Sequence, residues 1–507
     1  MKKTIQNIFK KPFYPFLISM YPVLAIYANN VDEARADVIF RPLLIFLAGA
    51  LTLFLLFRLI LRDWHRSAFA TSMWLILFST YGHVIAAIKD KGFHISSNLI
   101  LGIWLFLAVL VLVLGVLRRK KFSSAAASLN LIAAVLLVYP MVQVISASVS
   151  RMQVIRNASA AASLPEMDPA KVKALPDVYY IILDSYGRSD LLKQAYGYDN
   201  TAFVTDLQEL GFYVARCSQS NYMRTDIAMA TALNMDYLPN LGDEFKADTY
   251  NRTQLFELLK HSLVRETLEK AGYKTVAFAT GFPWSELDDA NVFLSAPPLL
   301  GEMTDFEEML LNTTMARVLE DSGKIDPFQV SSQHFRERTS YDLASFASLV
   351  KMPGPKFVFM HVVSPHPPFV FGPDGQPTDP ATFLNENDKI TSSKYAEGYT
   401  NQVTYLNKRI KEAMDLILHN SKIPPIIIMQ GDHGPWMQPD NKRFWILNAY
   451  YLPGHNDQLY PSISPVNSFR LVLNDYLGTD YPLLPDKSYF SPIPYIYNFK
   501  QFGNPCK

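Results

Sequence analysis

The sequence is poor in charge, in repeats and in ionisable residues within its apolar stretches. Asp, Glu, Lys and Arg make up only 18% of the 507 residues. That is below the roughly 25% of an ordinary soluble protein, and it excludes a disordered or highly solvated chain. No repeat or low-complexity tract is evident, which argues against a repeat architecture. Inside the long apolar stretches only His83 lies well away from an end, and Arg58 sits where it can snorkel. Transport pathways carry ionisable residues within their spans, so this scarcity argues against a transporter and for an anchor. His83 itself reads as a structural or interfacial residue.

What is present is 49% apolar residues and a lopsided charge distribution. Residues 1–150 hold 15 Lys and Arg against 5 Asp and Glu, and the remainder holds 32 against 41. The overall net charge of +1 is thus a cancellation of +10 and −9. A basic, apolar front and an acidic, mixed rear indicate a membrane part and a soluble part. The acidic rear is no general polyanion-binding surface, and no nucleic-acid partner is expected.

Five apolar stretches approach the roughly 20 residues that span a bilayer as helix. They are Phe13–Tyr27, Pro42–Leu61, Ala68–Ile88, Leu99–Leu117 and Leu129–Ser146. The first is short and broken by Pro15 and Pro22, and its alternative reading is a signal peptide. No small-x-small cleavage site follows it, so it is read as a retained span. Lys2, Lys3, Lys10 and Lys11 precede the first span. Arg58, Arg62 and Arg66 mark the second connection, and Arg118, Arg119, Lys120 and Lys121 the fourth. The first and third connections together balance at 4 against 4. The excess predicts a cytoplasmic amino terminus and, after five spans, an extracytoplasmic remainder. The expected divisions are a five-helix membrane domain over 1–149, a connector over 150–176 and a catalytic domain over 177–507.

Beyond Pro176, short apolar runs alternate with helical segments. The runs are Val178–Leu183, Thr275–Phe278, Phe357–Val363, Ile426–Met429 and Phe444–Leu452. Helix candidates include Thr201–Leu210, Thr253–Ala271, Ser340–Lys351 and Tyr395–His419. This alternation predicts an α/β domain with a mainly parallel sheet covered by helices on both faces. Such sheets bind ligands beyond the carboxyl ends of their strands.

Three of these runs deliver an acid or a histidine at that end. The first ends in Asp184, the Phe357 run leads to His361 and His366, and the Ile426 run leads to Asp432-His433-Gly434. Each alone is ordinary, because an Asp after a strand is usually a turn residue or a cap. Together, Asp184, Asp432 and His433 form an oxygen and nitrogen ligand set suited to zinc or manganese. Thr225 opens an apolar helical segment and sits where an N-cap would, with Asp226 in the first turn. It reads either as a cap or as a nucleophile beside backbone N–H groups that can hold phosphate.

With these residues in place, the chain resembles the alkaline phosphatase/sulfatase-like superfamily. The five spans make it most similar to lipoteichoic acid synthase-like and phosphoethanolamine transferase-like membrane enzymes. The resemblance implies metal binding by Asp184, Thr225, Asp432 and His433, with Thr225 as nucleophile. It implies one divalent metal, zinc or manganese, and leaves a second open. It also implies that His361 and His366, as a His-x4-His segment, lie near the leaving group. His366 is favoured over His361 as proton donor, and support of the metal site is their alternative role. Arg224 and Trp284 are expected to line the substrate site, although Trp284 equally suits a packed surface loop.

The sequence departs from sulfatases at Thr225-Asp-Ile-Ala-Met, which has neither the Cys nor the Pro and Arg of Cys-x-Pro-x-Arg. There is no clear Asp-x3-His unit, and His455 reads as a loop histidine. The implied activity moves a phospholipid-derived head group, phosphoglycerol or phosphoethanolamine, to an envelope glycan or lipid acceptor through a phosphothreonine. The expected location is the cytoplasmic (inner) membrane. The alternatives are a membrane-anchored phosphodiesterase, phosphatase or sulfatase-like hydrolase, and a non-catalytic scaffold or sensor. The only cysteines, Cys217 and Cys506, are either a disulfide or two free thiols, since spacing does not show proximity.

Overall fold

The computed structural model describes residues 11–31, 34–93, 95–117, 125–161, 165–168, 175–246, 252–297, 304–318, 327–379, 391–492 and 495–506. Lys2, Lys3, Lys10, Asp32, Glu33 and the basic run 118–121, used above for orientation, lie outside the described residues, as do 162–164 and 169–174 of the connector. The chain forms two compact units, Met1–Val149 with Leu300–Ser331, and Ser150–Leu299 with Ser332–Lys507.

The first unit is built on α1 (Tyr14–Asn29), α2 (Phe40–Leu61), α3 (Trp64–Asp90), α4 (Ser97–Leu117) and α5 (Ala126–Ala161). Asp63 caps α3, its carboxylate accepting the Arg66 N–H at 2.8 Å. Helices α2 to α5 are long and apolar enough to cross a membrane. The 16 residues of α1 reach only about 24 Å, short of a hydrocarbon core of about 30 Å. Leu105 and Phe106 of α4 are exposed by 52% and 65%, which suits a helix whose solvent is lipid. Because α5 continues to Ala161, the front of the expected connector is helical.

Within the expected catalytic span 177–507, residues 300–331 cluster with the first unit. The reason is a short helix, Asp305–Thr313, opened by a capping box between Thr304 and Glu307. Its Phe306 and Leu310, four residues apart, pack on Val23, Ile26 and Tyr27 of α1. Glu307 pairs with Arg41. Met315 N–H donates to the Phe78 carbonyl at 2.7 Å. A Cβ on Gly82 would lie 2.1 Å from the Asn312 carbonyl oxygen, so α3 needs glycine there for the segment to approach.

The second unit holds a seven-stranded sheet in the order β2-β7-β6-β1-β5-β3-β4. Its strands are β1 (Val178–Leu183), β2 (Tyr213–Val214), β3 (Lys274–Phe278), β4 (Val292–Leu294), β5 (Lys356–Val362), β6 (Ile426–Gln430) and β7 (Asn448–Tyr451). β6, β1, β5, β3 and β4 run parallel, β7 runs antiparallel beside β6, and β2 pairs antiparallel with β7 at the edge. β1 is central and buried throughout, as its uninterrupted Val-Tyr-Tyr-Ile-Ile-Leu run demands.

Alternation along β1 divides the core. Val178, Tyr180 and Ile182 pack in one cluster with residues of α6 (Thr225–Asn234) and α8 (Pro465–Leu477). Tyr179, Ile181 and Leu183 pack in the other with residues of α7 (Ser392–Asn420) and the helix Pro327–Leu349. The expected helix Thr253–Ala271 is two helices, Thr253–Lys260 and Leu263–Lys270.

Cys217 and Cys506 form a disulfide with a Cα–Cα separation of 5.4 Å. It closes a loop across a sequence separation of 289 residues. Cys217→Ser is expected to cost about 2–5 kcal/mol, as loss of a native disulfide typically does. Denaturant melts should show the same loss in Cys506→Ser and no further loss in the double variant.

Candidate metal centre and nucleophile

Strand register assembles the centre. Ile182 on β1 is level with Gln430 on β6 and with His361 on β5. Asp184 and Asp432, two residues further on, therefore come side by side on adjacent strands, about 5 Å apart by ordinary sheet spacing. Ser185, at φ 65°, turns the chain sharply, and its N–H donates to Asp432 Oδ1 at 2.9 Å. A Cβ on Gly431 would sit 2.4 Å from the Tyr186 carbonyl oxygen, so the two strand ends meet backbone to backbone only because glycine stands there.

Asp184 Oδ2 lies 3.2 Å from His361 Nε2. The other oxygens, Asp184 Oδ1 and Asp432 Oδ2, are buried and have no hydrogen-bond partner. They lie 3.8 and 3.5 Å from His433 Nε2. His433 Nδ1 is 2.8 Å from the Gly434 carbonyl, which fixes the proton on Nδ1 and turns the Nε2 lone pair toward the carboxylates. One donor atom from each of Asp184, Asp432 and His433 falls within 4.8 Å of the others. Among the described residues this is the one such group of three.

Two orphaned carboxylate oxygens and an imidazole lone pair, all buried, would cost several kcal/mol if left to themselves. A divalent cation is the group this donor set fits. Burial pushes the Asp184 carboxyl up, but His366, His361 and His433 outweigh it and hold it below the usual carboxylate range.

Thr225 is the first residue of α6, and the N-cap is Arg224 in extended conformation with no side-chain cap bond. The expectation that Thr225 is itself the N-cap is therefore corrected by one position. Its Oγ1 makes no cap and lies 3.3 Å from His433 Nε2. The flanking charge is organised by Asp226, which accepts from Arg224 at 3.3 Å and from Arg252 Nε at 2.8 Å. Burial raises the Asp226 carboxyl, and the two guanidinium groups more than reverse that.

The histidine pair divides. His361 is buried within β5 against Asp184. His366 follows on the loop, its N–H donating to the Asp184 carbonyl at 3.0 Å and its ring centroid 6.4 Å from that of His433. Its Nδ1 is 2.6 Å from the Pro367 carbonyl. Trp284 stacks on Phe256 at 5.6 Å and meets Arg252 at 5.9 Å, which places it beside the partners of Asp226. His455 lies 3.5 Å from Asp475 and packs on Tyr476.

Three supports were not foreseen. The Arg443 carbonyl accepts the Gly434 N–H at 2.6 Å, and its Nη2 reaches the Met223 carbonyl at 3.4 Å, so one residue ties the loop after Asp432 to the loop before Thr225. Tyr399 on α7 donates to the Ser185 carbonyl at 2.8 Å and accepts the Gly187 N–H at 3.0 Å. Gln402, one turn on, donates to the His366 carbonyl at 3.3 Å.

A mainly parallel sheet with a candidate metal-ligand set and a threonine hydroxyl at its carboxyl edge fits an enzyme of the alkaline phosphatase superfamily. The chain belongs to the Sulfatase family, which it matches over residues 176–466. No curated protein matches it. Among solved structures, it is similar to the zinc complex of the periplasmic domain of EcEptC from Escherichia coli, at 12% identity and a TM-score of 0.44, covering 67% of this chain and 95% of that one. The lipooligosaccharide phosphoethanolamine transferase A from Neisseria meningitidis aligns at 12% identity and a TM-score of 0.40, covering 92% and 95%. The phosphonate monoester hydrolase of Agrobacterium radiobacter aligns at 13% identity and a TM-score of 0.39, covering 63% and 82%.

Proposed function

We propose that the protein is a membrane-anchored phosphotransferase with its catalytic unit outside the cytoplasmic membrane and its amino terminus inside. It transfers the head-group phosphate ester of a phospholipid, phosphoethanolamine or phosphoglycerol, to an envelope glycan or lipid. The observation that carries this reading is Thr225 Oγ1, free of any capping role, against His433 Nε2 at the head of a buried helix.

A divalent metal, zinc or manganese, held by Asp184, Asp432 and His433 would supply Lewis acidity to the bound phosphate. Thr225 Oγ, its proton released to solvent, attacks phosphorus and breaks the bond to the diacylglycerol oxygen, with the amino terminus of α6 offsetting charge on the phosphate oxygens. Arg224, whose Nε is buried and unpartnered, is placed to hold one of those oxygens. His361 orients Asp184. His366 gives a proton to the departing diacylglycerol oxygen and later accepts one from the acceptor hydroxyl that attacks phosphothreonine.

The test uses full-length protein in vesicles containing phosphatidylethanolamine or phosphatidylglycerol. The expected result is diacylglycerol release with a head-group phosphate adduct on the peptide containing Thr225. Transfer to an added glycan, rather than release of free head-group phosphate, separates the transferase from a hydrolase. Diacylglycerol release with no adduct, and with full activity in Thr225→Ala, would remove the covalent mechanism.

A further inference from the structure

Arg443 stands at the rim of the centre, on the loop after Asp432. Its Nη2 meets the Met223 carbonyl at 3.4 Å, two residues before Thr225, and its own carbonyl accepts from Gly434, next to His433. Its Nε is buried and has no hydrogen-bond partner, and the Nε of Arg224 is in the same condition. The two guanidinium groups are close enough to repel, and Asp432 is within electrostatic reach of Arg443. Burial pulls Arg443 below the ordinary arginine value, with Asp440, Tyr395 and Asp432 opposing that and Arg224 adding to it. A buried donor beside a like charge is costly unless an acceptor meets it. On the reaction above, the phosphate answers Arg224. Arg443 is left for the group beyond the phosphate.

The charge around Thr225 is one-sided. Arg224 and Arg252 share one carboxylate, Asp226, at 3.3 and 2.8 Å, and Arg443 adds a third guanidinium. Asp184 and Asp432 are the pair that a divalent metal would neutralise. Two other acids stand nearby: Asp440, within reach of Arg443, and Glu244, within reach of Tyr497, as Asp226 is. Both are exposed residues, so water and salt screen them.

An ammonium is held by carboxylates or by aromatic faces. Phe256 and Trp284 present such faces, and Arg252 already lies over them at 4.9 and 5.9 Å. An ammonium also carries donors and no acceptor, so it offers nothing to Arg443 Nε. A hydroxyl offers an oxygen and brings no charge.

We propose that Arg443 is a specificity-determining residue. Its Nε–H donates to a hydroxyl of the donor's head group, and its charge turns away an ammonium. The class it selects is a phospholipid with an uncharged polyol head group. On the phospholipid-donor reading above, on which this role rests, Arg443 favours phosphoglycerol over phosphoethanolamine.

The test gives full-length protein one bilayer with phosphatidylglycerol and phosphatidylethanolamine in equal amounts, so that both donors see the same surface charge. Mass spectrometry of the Thr225 peptide and of the soluble products counts the head groups taken. Wild-type protein is expected to take phosphoglycerol over phosphoethanolamine by about tenfold or more. Arg443→Gln, which removes the charge and Nε, is expected to bring that ratio within about twofold. A merely structural loss lowers both products together and leaves the ratio alone. If Arg443→Gln does not fold, the wild-type ratio still decides. Equal use of the two lipids by wild-type protein, or an unchanged ratio in Arg443→Gln, would overturn the role. A phosphoethanolamine adduct in excess on Thr225 removes this inference and leaves the transferase standing. Glycerophosphate released in excess with no adduct supports the head-group filter while the phosphothreonine reading falls. Consumption of neither lipid removes both.

Discussion

Thr225→Ala abolishes turnover, with an expected fall in kcat of about 10⁴-fold or more, the order seen when a covalent enzyme loses its nucleophile. The same change leaves stability nearly untouched, because Oγ1 caps nothing and its one polar neighbour is His433 at 3.3 Å. Substitutions at such positions usually stay within about 0.5 kcal/mol. A capping threonine would behave oppositely, costing about 1 kcal/mol of stability with little effect on rate. Measuring kcat and Tm on the same preparation therefore separates the two roles. Thr225→Ser keeps the hydroxyl and is expected to retain part of the activity. A large Tm loss with activity intact would return Thr225 to a structural part.

Chelation of the divalent metal is expected to abolish activity and to lower the melting temperature of the second unit. A ligand present at about 1,000 times its Kd stabilises the folded state by about 4 kcal/mol. At about 2–4 °C per kcal/mol for a domain of this scale, the loss is roughly 8–16 °C. The physical source is the adjacent pair Asp184 Oδ1 and Asp432 Oδ2, buried without partners and facing His433 Nε2. Asp432→Asn should be inactive as well, yet its Tm should hardly respond to chelator, since the amide removes one negative charge together with most of the affinity. Calorimetry with and without chelator checks both. A chelator-insensitive Tm in wild-type protein, with activity retained, would leave the three residues without a metal.

Asp184, Asp432 and His433 were readable because each closes or follows an uninterrupted apolar run, and the runs belong to one sheet, so residues that are ordinary alone share one rim. Parallel register did the rest, bringing residues 184 and 432 level. The site's supports were less legible. Ser185 adopts a left-handed conformation with no glycine to announce it. Arg443 acts through its carbonyl as well as its side chain, and no pattern in Asn441-Lys-Arg-Phe marks that. Tyr399 and Gln402 sit on α7 among many buried aromatics, where spacing suggests core packing alone. Thr225 was placed one residue early because Thr is a better cap than Arg by propensity, while the backbone at Arg224 decides the matter. The excursion over 300–331 escaped notice because an amphipathic helix between strands looks the same whether it covers a sheet or a membrane bundle.

That excursion bears on how the enzyme can be prepared. A water-soluble version cut near residue 176 would keep Phe306, Leu310, Met315 and Val318, while discarding the α1, α3 and α4 surfaces on which they pack. The stranded face would be a sticky patch on an otherwise acidic protein, prone to self-association and to capture by detergent. Exchanging Phe306, Leu310, Met315 and Val318 for polar residues in the soluble unit should therefore keep it monomeric. In the intact chain, the same patch makes the membrane helices an obligatory part of the catalytic polypeptide's solubility.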